Sequence, residues 1–436
     1  MIKHKIFMVW LLLMTAAPSL AARDWSVSAD DTGGMSLQET IAQAAAGDRL
    51  LLAPGHYRVN LLLDKPLSLE GEPGAVLDGG GEGDVVRITA EDVTLKGLKI
   101  TGSGRNLTDM NALVFIERSA SRTRIEENHL EGDVFGVWVD GAKDVHIIEN
   151  HIQGNTEIRS QDRGNGVHLF NTTGAMVDGN EIAQVRDGIY IDTSNYNTLR
   201  NNHIYDLRYG IHYMYSYHNE VSGNVTENTR TGYALMQSKF LTVTNNRSEN
   251  DQNYGILLNF IVSSHLEGNI VNGVRAGTSR INGGYNVSGA EGKAVFIYNS
   301  QFNTLRGNRF DNSDIGIHLT AGSEDNKIYD NVFVRNKTQV KYVATRKQEW
   351  SHEGRGNYWS DYIGYDMNGD GRGDTVYEPN DGIDRVLWKY PIAKLLLHSP
   401  AVETLHWVQR QFPVLRPQGV KDSYPLIRMP DSAREL

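Results

Sequence analysis

Three stretches share one pattern: Gly188-Ile189-Tyr190-Ile191-Asp192, Gly210-Ile211-His212-Tyr213-Met214 and Gly255-Ile256-Leu257-Leu258-Asn259. Each opens on glycine, and the first and third residues after it are apolar or tyrosine. Alternation with period two marks a strand with one buried face. The pattern recurs after Gly136, Gly166, Gly232 and Gly316, with Ala294 once in the glycine's place. Mostly eight residues ahead stands an asparagine: Asn128, Asn150, Asn180, Asn202, Asn224, Asn246, Asn269, Asn308 and Asn331. Their successive gaps are 22, 30, 22, 22, 22, 23, 39 and 23.

Short strands, glycine punctuation and an in-register asparagine every 22 residues predict the coils of a single-stranded parallel β-helix, an all-β solenoid. The asparagine amides would stack and hydrogen-bond up a ladder inside the turn. A leucine-rich repeat needs leucine at several fixed positions, and only the aliphatic strand pair is regular here. Right-handed coils are expected from the handedness of parallel crossovers. Ser36 to Ala46 reads as a helix capping the N-terminal end. The two long gaps hold extra loops, Gly154 to Arg163 and Ala276 to Gly292, and such insertions often mark the binding side of a solenoid.

Composition bounds the chemistry. The 436 residues include 44 glycines and no cysteine, and carry a formal net charge of -10. Absent cysteine excludes disulfides, thiolate metal sites and cysteine nucleophiles. The acidic balance argues against nucleic acid as a partner. Lys3 and Lys5 precede an apolar run from Ile6 to Ala17 and a small-residue exit, the layout of a signal peptide over residues 1–22 cleaved near Ala21-Ala22. Export from the cytoplasm follows. Residues 23–350 are then the solenoid with its cap, 351–384 a distinct segment, and 385–436 a proline-rich end that caps the coils or docks on another protein.

Even positions after the glycine are expected to point outward. Met214 and Met236 stand 22 residues apart, hence on successive coils, with His212 two residues before Met214 on the same face. Parallel strands lie about 4.8 Å apart, so two thioethers can approach one ion from neighbouring rungs. Two soft sulfurs and an imidazole suit Cu(I) better than Zn(II), Mg(II) or Ca(II). A gap-filling apolar patch is the plainer alternative. The outward His168 and His318 lack sulfur neighbours and read as ordinary surface residues. Further on, Asp366, Asn368, Asp370, Arg372 (through its carbonyl) and Asp374 fall at the ligand spacing of a calcium-type loop, with Gly371 at the turn. The usual bidentate Glu is missing, because Tyr377 stands in its place. A structural Ca(II) is the expectation, and an ion-free Asx-turn loop the alternative.

The run Gly356-Asn357-Tyr358-Trp359-Ser360-Asp361-Tyr362-Ile363-Gly364-Tyr365-Asp366, with the coils and the signal segment, resembles the NosD family of nitrous-oxide reductase maturation proteins. The resemblance covers nearly the whole mature chain. It implies a periplasmic, non-catalytic accessory protein that relays Cu(I) transiently for the copper centres of nitrous-oxide reductase. It also implies partners: an ABC-type permease with its ATPase, a copper-chaperone lipoprotein and the reductase, with the membrane touched only through the permease. The Pro-rich end is then the expected docking segment. The competing class is a polysaccharide-binding or polysaccharide-modifying β-helix, a lyase, epimerase or hydrolase. Asp140 and Asp192 would supply its carboxylates, but they lie two rungs apart, about 10 Å and too wide for a retaining pair.

Overall fold

The computed structural model describes residues 22–29, 36–276, 291–344, 346–380, 399–411 and 419–430. Residues 1–21 of the expected signal peptide, most of the second inserted loop and the run Leu395-Leu396-Leu397 lie outside these residues.

Each coil contributes one strand to each of three parallel sheets, of 13, 12 and 13 strands, so the chain winds into a β-solenoid. The alternation read from sequence is realised in the second sheet, where Ile189, Ile191, Ile211, Tyr213, Tyr233 and Leu235 are all buried. Their aliphatic and aromatic groups form one core running the length of the described solenoid. Glycine opens these strands because the next rung leaves no room. A Cβ at Gly210 would stand 2.5 Å from the Gly232 carbonyl oxygen.

The asparagine series forms a buried ladder, and the reason is local. The residue before each ladder asparagine from Asn128 to Asn331 turns the chain through a left-handed conformation, as at Asn201 (φ 55°) and Gly223 (φ 65°). The next side chain is thereby aimed into the coil. Asn202 Nδ2 donates to Asn224 Oδ1 at 2.8 Å and to the Val177 carbonyl at 2.9 Å. Asn224 repeats this toward Asn246 and the Leu199 carbonyl. The ladder runs one rung beyond the sequence series, through Asn331 to Asn357 at 2.9 Å.

Both described ends are closed. Leu37–Gln43 is helical, with Ser36 and Glu39 forming a capping box and Leu37 and Ile41 buried in the core. At the other end Tyr358–Trp359 is the last strand of the third sheet, and the Trp359 ring stacks on Phe333 at 4.3 Å. Residues 419–430 return to this end. Asp422 accepts from Asn357 N at 2.7 Å and Trp359 Nε1 at 2.9 Å, and burial pushes its carboxyl up to about 6. The family-like run is therefore the terminal coil, and part of the proline-rich end completes its cap.

Candidate functional site

The outward face of the second sheet carries two columns of side chains in strict register. One runs Arg87, Phe115, Trp138, His168, Tyr190, His212, Ala234, Leu257, Phe296, His318 and Lys341. Ring centroids are 3.9 Å apart for Trp138 and His168, 4.7 Å for His168 and Tyr190, and 4.5 Å for Tyr190 and His212. Arg87 and Lys341 place a basic residue on either side of the rungs considered from sequence, with Leu62 one rung beyond Arg87.

The expectation that His168 and His318 are ordinary surface residues is corrected here. His168 is only 7% exposed, as is Trp138. Alternation tells which face a residue takes but not what lies over that face. Phe135 comes edge-on to Trp138 at 4.7 Å and to His168 at 5.8 Å, and Leu107 packs on the same cluster. Burial pushes His168 down to about 3, and likewise His318. His168 Nδ1 lies 3.2 Å from Asn165 Nδ2, whereas His168 Nε2, Trp138 Nε1 and both His318 nitrogens have no hydrogen-bonding partner.

His212 differs. Its side chain is 12% exposed, and Nδ1 lies 3.0 Å from Asp187 Oδ2 on the preceding coil. Arg208 grips the same carboxylate through Nε at 2.8 Å and Nη2 at 2.6 Å, and its guanidinium sits 4.4 Å over the Tyr209 ring. Burial alone would raise the Asp187 carboxyl, but the His212 and Arg208 hydrogen bonds outweigh it and hold the group below the usual carboxylate range. Tyr190 and Tyr209, the latter edge-on at 5.0 Å, flank the imidazole. The next rung of the column is Ala234, its smallest member, which leaves the ring without an aromatic neighbour on that side.

The second column runs Asp140, Phe170, Asp192, Met214, and then Met236, Asn259, Tyr298. His212 pairs with Ala234 and Tyr213 with Leu235, so the same register continued sets Met214 beside Met236. Both methionines are partly exposed. The structure thus places the three residues singled out from sequence on two adjacent rungs, beside the small, buried Ala234. Asp187 and Arg208 were missed. Their signal was a carboxylate and a guanidinium 21 residues apart, one short of the coil period.

In the calcium-type loop the carboxylates turn onto backbone N–H groups. Asp366 Oδ1 accepts from Gly369 N and Oδ2 from Gly371 N; Asn368 Oδ1 accepts from Asp370 N; Asp370 Oδ1 accepts from Arg372 N; and Asp374 Oδ2 accepts from Met367 N. Gly373 N donates to Pro425 O and Ile427 N to Gly371 O, so Arg372 faces Leu426 in a non-hydrogen-bonded antiparallel pair. Its own carbonyl is then directed away from that strand. Among the described residues, no group of three or more histidine or carboxylate side chains is gathered to hold a metal ion. In the C-terminal region Pro400–Gln411 is a helix with Trp407 57% exposed.

Residues 148–364 match the model of a family described as periplasmic copper-binding protein (NosD), and residues 35–232 that of a family described as a protein of unknown function. A Pseudomonas aeruginosa protein named probable ABC transporter binding protein NosD is 54% identical over 387 residues, 88% of this chain and 90% of its own length. A Stutzerimonas stutzeri protein of the same name is 54% identical over 383 residues, 88% and 87% of the two chains. Among solved structures, the surface adhesin PfbA of Streptococcus pneumoniae aligns with TM-score 0.54 at 10% identity, over 72% of this chain and 91% of its own, a likeness of fold alone.

Proposed function

The chain belongs to the NosD family of periplasmic copper-binding proteins, and on that premise we propose that it takes up Cu(I) transiently at His212, Met214 and Met236. The ion would be passed on for the copper centres of nitrous-oxide reductase, with a copper-chaperone lipoprotein as donor. The observation that carries this reading is the register that sets two thioethers on adjacent rungs beside an imidazole. Thioether and imidazole donors match a soft monovalent ion, and partial exposure lets an ion enter and leave. The ring nitrogens of His318 and Nε2 of His168 are buried and lack such access.

An ABC-type permease and its ATPase are the natural membrane partners, given the name borne by the two relatives. The helix Pro400–Gln411, with its exposed Trp407, is the docking element on this reading. Residues 419–430 help close the solenoid end, so the informative variant replaces residues 399–411 with a Gly/Ser linker and leaves the cap intact. Retained co-purification with the permease would remove that docking role. The loop from Asp366 to Asp374 is assigned a structural Ca(II), held by the carboxylates, Asn368 and the Arg372 carbonyl.

The copper assignment is tested by titrating the mature protein with Cu(I) against a competing chelator. His212→Ala, Met214→Ala and Met236→Ala should each weaken binding by about tenfold or more, the equivalent of at least ~1.4 kcal/mol. Unchanged affinity in all three ends the assignment.

A further inference from the structure

We infer that Asp187, held by Arg208, is the positioning residue that sets the tautomer and direction of His212 so that Nε2 is the nitrogen offered to Cu(I). The inference rests on the copper site proposed above, and concerns side chains that touch no ion.

The geometry is specific. Asp187 is 3% exposed and takes two donors from the Arg208 guanidinium, the pairing of a carboxylate, which only accepts. Its Oδ2 lies 3.0 Å from His212 Nδ1, so the proton of the neutral imidazole sits on Nδ1. The lone pair is then left on Nε2, which has no hydrogen-bonding partner among the described residues. The two nitrogens point to roughly opposite sides of the ring, so tying Nδ1 to Asp187 turns Nε2 away from that carboxylate.

Arg208 makes the arrangement rigid. Its two bonds to Asp187 balance the buried charge and leave the carboxylate one orientation, while the Tyr209 ring holds the guanidinium in place. Tyr190 and Tyr209 restrict rotation of the imidazole. Metal-binding histidines usually donate their other N–H to a carboxylate, and removing that partner typically costs 10–100-fold in affinity. No other histidine on this face has the arrangement. His168 meets an amide, and the ring nitrogens of His318 meet no hydrogen-bonding partner.

The test uses Asp187→Asn, whose amide can donate to Nδ1 and so favour the opposite tautomer. Cu(I) competition titration should show affinity reduced about 10–100-fold, by analogy with other carboxylate–histidine–metal sites. In parallel, 15N NMR of the histidine-labelled protein reads the tautomer directly, with Ag(I) as the diamagnetic probe. In the wild type, Ag(I) should shift Nε2 of His212 while Nδ1 keeps its proton. Ag(I) on Nδ1 overturns the inference, and so does wild-type affinity in Asp187→Asn. Either result leaves the copper site standing. If the wild type binds neither ion, the site itself falls, and this role with it. Should Asp187→Asn fail to fold, the wild-type spectrum still decides.

Discussion

Two columns of side chains run along this solenoid, and they obey opposite rules. Inside the turn, the asparagine ladder repeats one residue type with one geometry, and each amide both donates and accepts. On the outer face of the second sheet the residue type changes at nearly every rung. There, buried ring nitrogens are left without partners, and one imidazole is tied to a carboxylate. Repetition inside satisfies polar groups that water cannot reach. Variation outside marks the positions where the backbone no longer dictates the residue, and the three residues proposed to take up copper lie among them.

The comparison can be broken at its strongest point with Asn224→Ala. That change strands the Leu199 carbonyl and the Asn202 N–H in a dry interior. The expected loss is about 3–5 kcal/mol, from two or more unsatisfied buried groups. A loss of unfolding free energy, read from urea titrations, of less than a quarter of this would show that the ladder is decorative.

His168 gives the next largest effect. Its folded-state value of about 3 lies well below the ordinary histidine value, so acid protonates the unfolded chain and leaves the folded one neutral. Stability relative to His168→Phe should therefore be nearly constant above about pH 7 and fall by roughly 2 kcal/mol between pH 6.5 and 4.5. Equal pH profiles for the two proteins would mean that the imidazole is not buried in solution.

Calcium comes third. Saturating Ca(II) should stabilise the protein by roughly 1–3 kcal/mol, with the increment lost on chelation and absent in Asp370→Ala. An identical calcium response in Asp370→Ala would leave the loop as a set of Asx turns. Smallest of all, Met214→Ala and Met236→Ala should change stability by less than ~1 kcal/mol, since both side chains are partly exposed. Set against their effect on copper affinity, that result would separate the outer column from the ladder most cleanly.

Much of the architecture was legible because a solenoid writes its period into the sequence. The asparagine spacing gave the coil, and the alternation after Gly188 and Gly210 gave the buried face. Three things were not legible. Asn357 continues the ladder after a gap of 26 residues, and its partner Asp422 lies 65 residues further on, beyond any periodicity. The burial of His168 depends on Phe135 and Leu107, which pattern alone does not set over it. Asp187 and Arg208 meet because each extends sideways from its rung, a side-chain choice that strand alternation does not encode.

The ladder has one more property. Every amide from Asn128 onward donates toward the C-terminal neighbour and accepts from the other side, so the small dipoles add head to tail. The column is an arrow with its positive tip at Asn357, and the Asp422 carboxylate sits at that tip. Chains of hydrogen bonds polarise one another, so each added rung should strengthen its neighbours. A whole coil could then be spliced in or cut out with the arrow intact, whereas one amide facing the wrong way would set two like ends against each other.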